Sequence, residues 1–244
     1  MIYYSQSKQD YIIDILLNGQ VNGFFVDIGA HDGIFLSNSC FFEKERFWDG
    51  ICFEPSPEVF ERLKKNRRCK LVNGAVAGQT GYLNFTDITG YAEMLSGLTE
   101  YRNIEHKTRT TKEINKHGGN VQIIKVNCFT LDAVLSKQNI VNIDYLSLDI
   151  EGGELEVLES INFEKYNISI LTIENNYDCQ KIRYLMRRNG YYLLFSYGED
   201  DYYLRRNIIF YLKQVLMNKT IFKIFINYRI KNIKNFFRLY ESIF

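Results

Sequence analysis

Phe24-Phe25-Val26-Asp27-Ile28-Gly29-Ala30-His31-Asp32-Gly33, followed by Gly50-Ile51-Cys52-Phe53-Glu54-Pro55, decides the architecture. An apolar run ends in an acid and a glycine turn, and a second apolar run ends in a glutamate 27 positions after the first acid. That separation fits a strand, a helix and a second strand, with a carboxylate at the tip of each strand.

The same alternation extends through the chain. Strands are expected at 24–29, 50–54 and 70–76, with helices at about 36–46 and 57–66 between them. Ser56-Pro57 is a good helix start, a capping residue followed by proline at the first helical position. A half-exposed strand is expected at 81–87, and residues 88–120 read as a long polar insertion. Regularity returns with a strand at 121–126, a helix at 131–137, a buried strand at 145–150, a helix at 154–161, a strand at 168–174 and a helix at 181–189. Tyr191–Tyr197 and Tyr202–Arg205 close the pattern as a hairpin. Strands alternating with helices predict an α/β fold, a mostly parallel sheet covered on both faces, with an antiparallel edge. A short helix at 10–18, stopped by Gly19, precedes it.

Bulk properties narrow the class. With 46% hydrophobic and 24% charged residues and a net charge of +1, no global field argues for nucleic acid as a partner. The distribution is uneven, since residues 205–244 carry nine Lys/Arg against Glu241 alone, leaving an acidic body and a basic tail. We therefore expect a domain at 1–206 and a basic amphipathic helical tail at 207–244, with one apolar stripe formed by Ile226, Ile230, Ile233, Phe237, Tyr240 and Phe244. Such a tail can lie on an anionic membrane surface, pair with a second copy, or pack on the body. Five cysteines without zinc-like spacing suit a reducing compartment. The opening residues do not resemble a secretory leader, and no apolar run approaches the roughly 20 residues needed to span a bilayer. The expectation is a cytoplasmic protein, peripheral at the membrane if the tail binds there.

In an open parallel sheet, ligands sit beyond the carboxyl ends of the strands. Gly29 and Gly33 suit a tight turn where a ligand approaches backbone. Asp27 is expected near a cationic part of the ligand, and Glu54 has the placement used to grip two ribose hydroxyls. The plainer reading, in which Asp27 caps a helix and Glu54 is a solvated strand end, needs two coincidences at the right separation. A nicotinamide dinucleotide would require bare amides for its pyrophosphate, but this turn carries Asp27 and Asp32. A cofactor with a positive end and a ribose fits better, and S-adenosylmethionine meets both demands.

The second constellation is Ser147-Leu148-Asp149-Ile150-Glu151-Gly152-Gly153-Glu154. Glu154 reads equally well as compensation of a helix dipole. Asp149 and Glu151 lie at the same sheet edge as the other acids. They are candidates for accepting a proton from an attacking hydroxyl or, joined by Glu174, for holding Mg²⁺ or Ca²⁺. Any of His31, His106 and His117 can serve as a general base, with His31, in the cofactor turn, preferred. The insertion, with Tyr91, Tyr101, Arg102, Lys107 and Arg109, is the candidate acceptor lid, against the simpler reading of a mobile surface loop.

Phe25–Gly33, Gly50–Pro57, Asn73-Gly74-Ala75-Val76 and Asp144–Gly152, together with Ser5-Gln6, Gln9-Asp10, Met94-Leu95-Ser96-Gly97 and Thr130-Leu131-Asp132, resemble the FkbM family of methyltransferases in order along residues 4–206. The resemblance does not cover the tail. It implies a class I, Rossmann-like, S-adenosylmethionine-dependent O-methyltransferase with a mostly parallel seven-stranded sheet. It also implies a sugar, oligosaccharide or glycan acceptor in surface-polysaccharide biosynthesis, or a polyketide or other natural product. By motif match, Asp27, Gly29 and Glu54 would bind cofactor, with Ala30, His31, Gly33, Pro55, Ser56, Ala75 and Asp149 around it, while Asp149 and Glu151 would face the reacting hydroxyl. A non-catalytic module that kept the cofactor fold is the rival expectation.

Overall fold

A computed structural model describes residues 1–205 and 208–241; at 208 and from 233 onward it describes backbone alone. The first half comprises α1 (Gln9–Leu16), β1 (Phe24–Ile28), α2 (Cys40–Arg46), β2 (Asp49–Glu54), α3 (Pro57–Asn66) and β3 (Lys70–Asn73). A side unit follows, with β4 (Ala75–Val76), β5 (Gly81–Thr89), β6 (Gly97–Leu98), α4 (Ile104–His117) and β7 (Asn120–Phe129). The second half runs α5 (Leu131–Lys137), β8 (Asn142–Leu148), α6 (Glu154–Ser160), β9 (Asn167–Glu174), α7 (Gln180–Arg188), β10 (Tyr192–Tyr197) and β11 (Asp200–Leu204), and α8 (Ile208–Met217) and α9 (Lys219–Glu241) complete the chain.

Seven strands form the main sheet in the order β3-β2-β1-β8-β9-β11-β10. Pairing is parallel from β3 to β9, and β11 is antiparallel to both of its neighbours. The strand order reverses between β1 and β8, so their carboxyl ends flank the crevice where this fold binds ligands. The expected α/β class, seven-stranded sheet and terminal hairpin are all present.

Both faces of the sheet are buried because β1, β2 and β8 are near-continuous apolar runs. Val26, Ile28, Ile51, Phe53, Leu146 and Leu148 pack on one side against Leu131 and Leu135 of α5, Val157 and Leu158 of α6, and Ile182 and Met186 of α7. Phe25, Cys52, Tyr145 and Ile170 pack on the other against Ile12, Ile13 and Leu16 of α1, Phe41 and Phe42 of α2, and Leu63 of α3.

Three expectations need correction. The strand predicted at 70–76 is two strands in different sheets, broken at Gly74. A Cβ there would come within 2.7 Å of the Asn127 carbonyl oxygen, so only glycine lets the chain cross. The strands predicted at 81–87 and 121–126 pair with each other, antiparallel, in a second sheet ordered β4-β7-β5-β6. The insertion at 88–120 is no structureless loop, since it holds the end of β5, a 3₁₀ turn at Glu93–Leu95, β6 and the 14-residue α4.

The tail also differs from its reading as one stripe. It is two helices, broken at Asn218. Tyr211, Val215 and Ile221 are buried in the second core cluster, and Leu212, Ile224, Phe225 and Tyr228 pack against it. Of the predicted stripe, Ile230 is exposed, while the side chains of Ile233, Phe237 and Tyr240, and Phe244 altogether, lie outside the described residues. The packing face is therefore a second set of apolar positions, nearly opposite the one that the spacing suggested.

Candidate active site

A cavity of about 490 Å³ opens at the carboxyl ends of β1, β2, β8 and β9. Its floor comes from the strand ends and turns of the main sheet, including Gly29, His31, Glu54, Pro55, Ser56, Asp149, Glu151 and Glu174, with Ala75 of β4 at its edge. Its roof comes from the side unit, including Phe85, Tyr91, Glu93, Leu95, Leu98, Arg109 and Glu113.

Gly29 joins two of the floor strands. Its φ is +93°, and a Cβ would sit 1.8 Å from the Asp149 carbonyl oxygen. The Asp149 amide in turn donates to the Ile28 carbonyl at 3.0 Å. The tips of β1 and β8 are thus fixed against each other, and only glycine permits that approach.

Glu54 ends β2 with its carboxylate held by two backbone amides. His31, itself left-handed at φ 50°, donates to Oε2 at 3.1 Å, and Ser56 donates to Oε1 at 2.8 Å. Burial pushes this carboxyl up to about 8, with the neighbouring charges of Asp87 and Glu93 adding to the rise and the two amides opposing it. An anchored carboxylate with acceptor capacity left over suits a pair of ribose hydroxyls.

His31 turns its Nε2 to Glu93 Oε1 at 2.7 Å, and Arg62 binds the same oxygen. The buried Nδ1 of His31 has no hydrogen-bond partner, with Asp32 Oδ1 3.8 Å away. Glu93 was not expected, because it lies in the insertion, where no periodicity marks it. Gln6 also lines the cavity. The buried Asp10 holds the turn before it, accepting from the Ser5 hydroxyl at 2.5 Å and the Ser5 amide at 3.2 Å.

At the opposite end, Asp149, Glu151 and Glu174 converge, each offering an oxygen within 4.8 Å of the others. Burial and then the adjacent Glu151 hold the Asp149 carboxyl well above the usual carboxylate range. Burial and then Asp149 do the same to Glu174. Glu151 has dedicated donors instead. Its Oε2 lies 2.6 Å from His106 Nε2 and 3.3 Å from Arg109 Nη1. Arg102 Nε donates to His106 Nδ1 at 3.4 Å, which leaves Nε2 as the donor toward Glu151. The histidine that engages the acids is therefore His106 from α4, while His117 stacks on Tyr91 with ring centres 4.0 Å apart.

Asp27, Ala30 and Gly33 do not line this cavity. Strand alternation turns Asp27 to the same side as Phe25, where the Ser39 hydroxyl donates to it at 2.5 Å. Burial raises its carboxyl against the pull of Ser39 and nearby Arg67. Ala30 packs in the second core cluster, and Gly33 lies against Leu63 and Arg67.

The donor set fits S-adenosylmethionine. Glu54 has acceptor capacity left for a ribose, and Glu93, Glu113, Asp149, Glu151, Glu174 and Glu199 outnumber the lining bases His31 and Arg109, both already paired with carboxylates. A pyrophosphate would find acids there instead.

Residues 27–193 match the family model of the methyltransferase FkbM domain. Methyltransferase 1 of Beauveria bassiana is 24% identical over 187 residues, covering 70% of this chain and 72% of that protein. Methyltransferase sdnD of Sordaria araneosa is 26% identical over 202 residues, covering 74% and 76%. Among solved structures, the methyltransferase FkbM from Methylobacillus flagellatus is 13% identical with a TM-score of 0.44, over 75% of this chain and 43% of that one. A methyltransferase from Geobacter sulfurreducens is 12% identical with a TM-score of 0.45, over 84% and 83%. The matched segment includes the tips of β1, β2, β8 and β9 and the whole side unit, and on that match the chain belongs to the FkbM methyltransferases.

Proposed function

We propose that this protein is an O-methyltransferase that moves the methyl group of S-adenosylmethionine to a hydroxyl of a sugar or glycan, in surface polysaccharide modification. The observation that carries the reading is one cavity with the anchored Glu54 at one end and the Asp149–Glu151–Glu174 group at the other. Exposed aromatic residues at its lining, Phe35 (58% exposed) and Tyr91 (70%), offer flat faces for a sugar ring.

The donor supplies an electrophilic methyl group on a positively charged sulfur. Glu54 fixes its ribose, and the locked tips of β1 and β8 set the distance between donor and acceptor. The acceptor oxygen forms its bond to carbon as the carbon–sulfur bond breaks, and its proton passes to a carboxylate. Asp149 is suited to receive it, because a carboxyl held above the usual range is the stronger base once ionised. Asp149, Glu151 and Glu174 are also the residues that would hold Mg²⁺ or Ca²⁺. Activity that survives chelation assigns them to proton transfer alone.

Incubation with methyl-labelled donor and a panel of sugars, oligosaccharides and hydroxylated polyketides tests the reading. Label on a sugar oxygen is the expected result, whereas label on polyketides alone would replace the acceptor class. Asp149→Asn should lower kcat about a hundredfold, with donor affinity changed less than about threefold. Lost donor binding with kcat preserved at saturation would move Asp149 to the donor side. Donor binding without turnover on any acceptor would favour a non-catalytic module.

A further inference from the structure

The two C-terminal helices are apolar on two sides. In α8, Tyr211 and Val215 are buried, while Ile209 (82% exposed), Leu216 (67%) and Met217 (72%) project from the other side. Positions 209, 213 and 216 follow one helical face, so Lys213 stands in the same row as Ile209 and Leu216. In α9, Ile221 is buried with Phe225 and Tyr228 packed beside it, while Phe222 and Ile230 are exposed on the side that carries Lys219 and Lys223. Both helices lie on the same core cluster, so both outer faces point away from the body.

These exposed apolar side chains recur on one face of each helix, a pattern that marks an interaction surface. Residues 208–232 contain five cations, Lys213, Lys219, Lys223, Arg229 and Lys231, and no acid, and all five are exposed. Pairing this face with a second copy would set like charges against each other. An anionic lipid surface answers both features, taking the apolar row into the acyl boundary and the cations at the headgroups. No helix among the described residues is long and apolar enough to cross a membrane, so the contact lies in the plane of the surface.

We propose that the outer faces of α8 and α9 dock the protein on an anionic bilayer. The test is cosedimentation of the full chain with phosphatidylcholine vesicles, alone or mixed with phosphatidylglycerol. Binding to the mixed vesicles, its loss with phosphatidylcholine alone, and its weakening in high salt are expected. Leu216→Asp with Met217→Asp should lower partitioning about tenfold or more. Lys213→Glu with Lys219→Glu and Lys223→Glu should lower it about a hundredfold. Unchanged circular dichroism and Tm confirm that both variants fold. Wild-type protein left in the supernatant, or variants that bind as well as wild type, would overturn the proposal. So would a dimer, seen by sedimentation equilibrium, that Leu216→Asp with Met217→Asp dissociates in a chain that ignores vesicles.

Discussion

Burial pushes the Glu54 carboxyl from 4.5 to about 8, so at neutral pH the free protein holds it mostly neutral. A folded-state pKa above the unfolded one contributes stability below the lower value, and that stability is lost as pH rises through the upper one. Donor binding has the opposite preference, since two ribose hydroxyls are best accepted by the ionised group. Affinity for S-adenosylmethionine should therefore climb between pH 6 and about 8, and binding at pH 7 should release protons, measurable by calorimetry in buffers of different ionisation enthalpy. Glu54→Gln should weaken donor binding about 10- to 100-fold. Because a glutamine oxygen can serve only one of the two backbone amides, the same variant should lower the Tm of the free protein at pH 5, and should compare more favourably with wild type at pH 8, where burial penalises the ionised glutamate. Gly29→Ala tests a different constraint. Its Cβ would strike the Asp149 carbonyl, and thermal unfolding should show a loss of about 3 kcal/mol, or about 6–12 °C. Glu54, Pro55, Ser56 and Gly29 were legible because a strand end followed by a turn or a helix start leaves a local signature. The side chosen by Asp27 was not, because a strand buried on both faces has no polar alternation to reveal which residues point where.

α4 illustrates the same limit over a longer stretch. Only His106 and Thr110 are buried along it, so no apolar stripe announces a helix. It is held by an Asn103 cap on the His106 amide at 2.7 Å and by the His106 and Arg109 contacts to Glu151, a partner distant in sequence. Spacing between neighbours cannot encode such pairings. His106→Ala removes one of these attachments. Hydrogen exchange across residues 104–117 should quicken about tenfold or more, as expected when a bond to a charged partner worth about 1.5–3 kcal/mol is lost. Acceptor KM should rise, while donor Kd stays within about twofold. Equal weakening of both would mean that α4 supports the whole cavity rather than its roof. The break at Gly74 was equally hidden, since an apolar run reads as one strand whether or not it changes sheets.

Across the whole molecule, the mostly parallel sheet, its antiparallel edge and the placing of the site at the strand tips followed from alternation, short connections and the position of two acids. The C-terminal helices did not, because two apolar faces on one helix give the spacing no way to choose which is inside. α8 packs on α1, and α9 on α8 and β10, so a charge at the fully buried Val215 should be felt throughout the protein. Val215→Asp should lower Tm by about 6–12 °C in a single cooperative transition. An unchanged Tm would make the two helices an independent appendage. The roof has a consequence of another kind. Most of it derives from one contiguous stretch, from Phe85 to Glu113, whereas the opposing surface is assembled from strand ends scattered along the chain. Mutation can rewrite that stretch in one piece so long as it keeps Glu93 on His31 and His106 and Arg109 on Glu151, and a graft of that single segment with those anchors retained is the shortest route to a cavity of a different shape over the same strand ends.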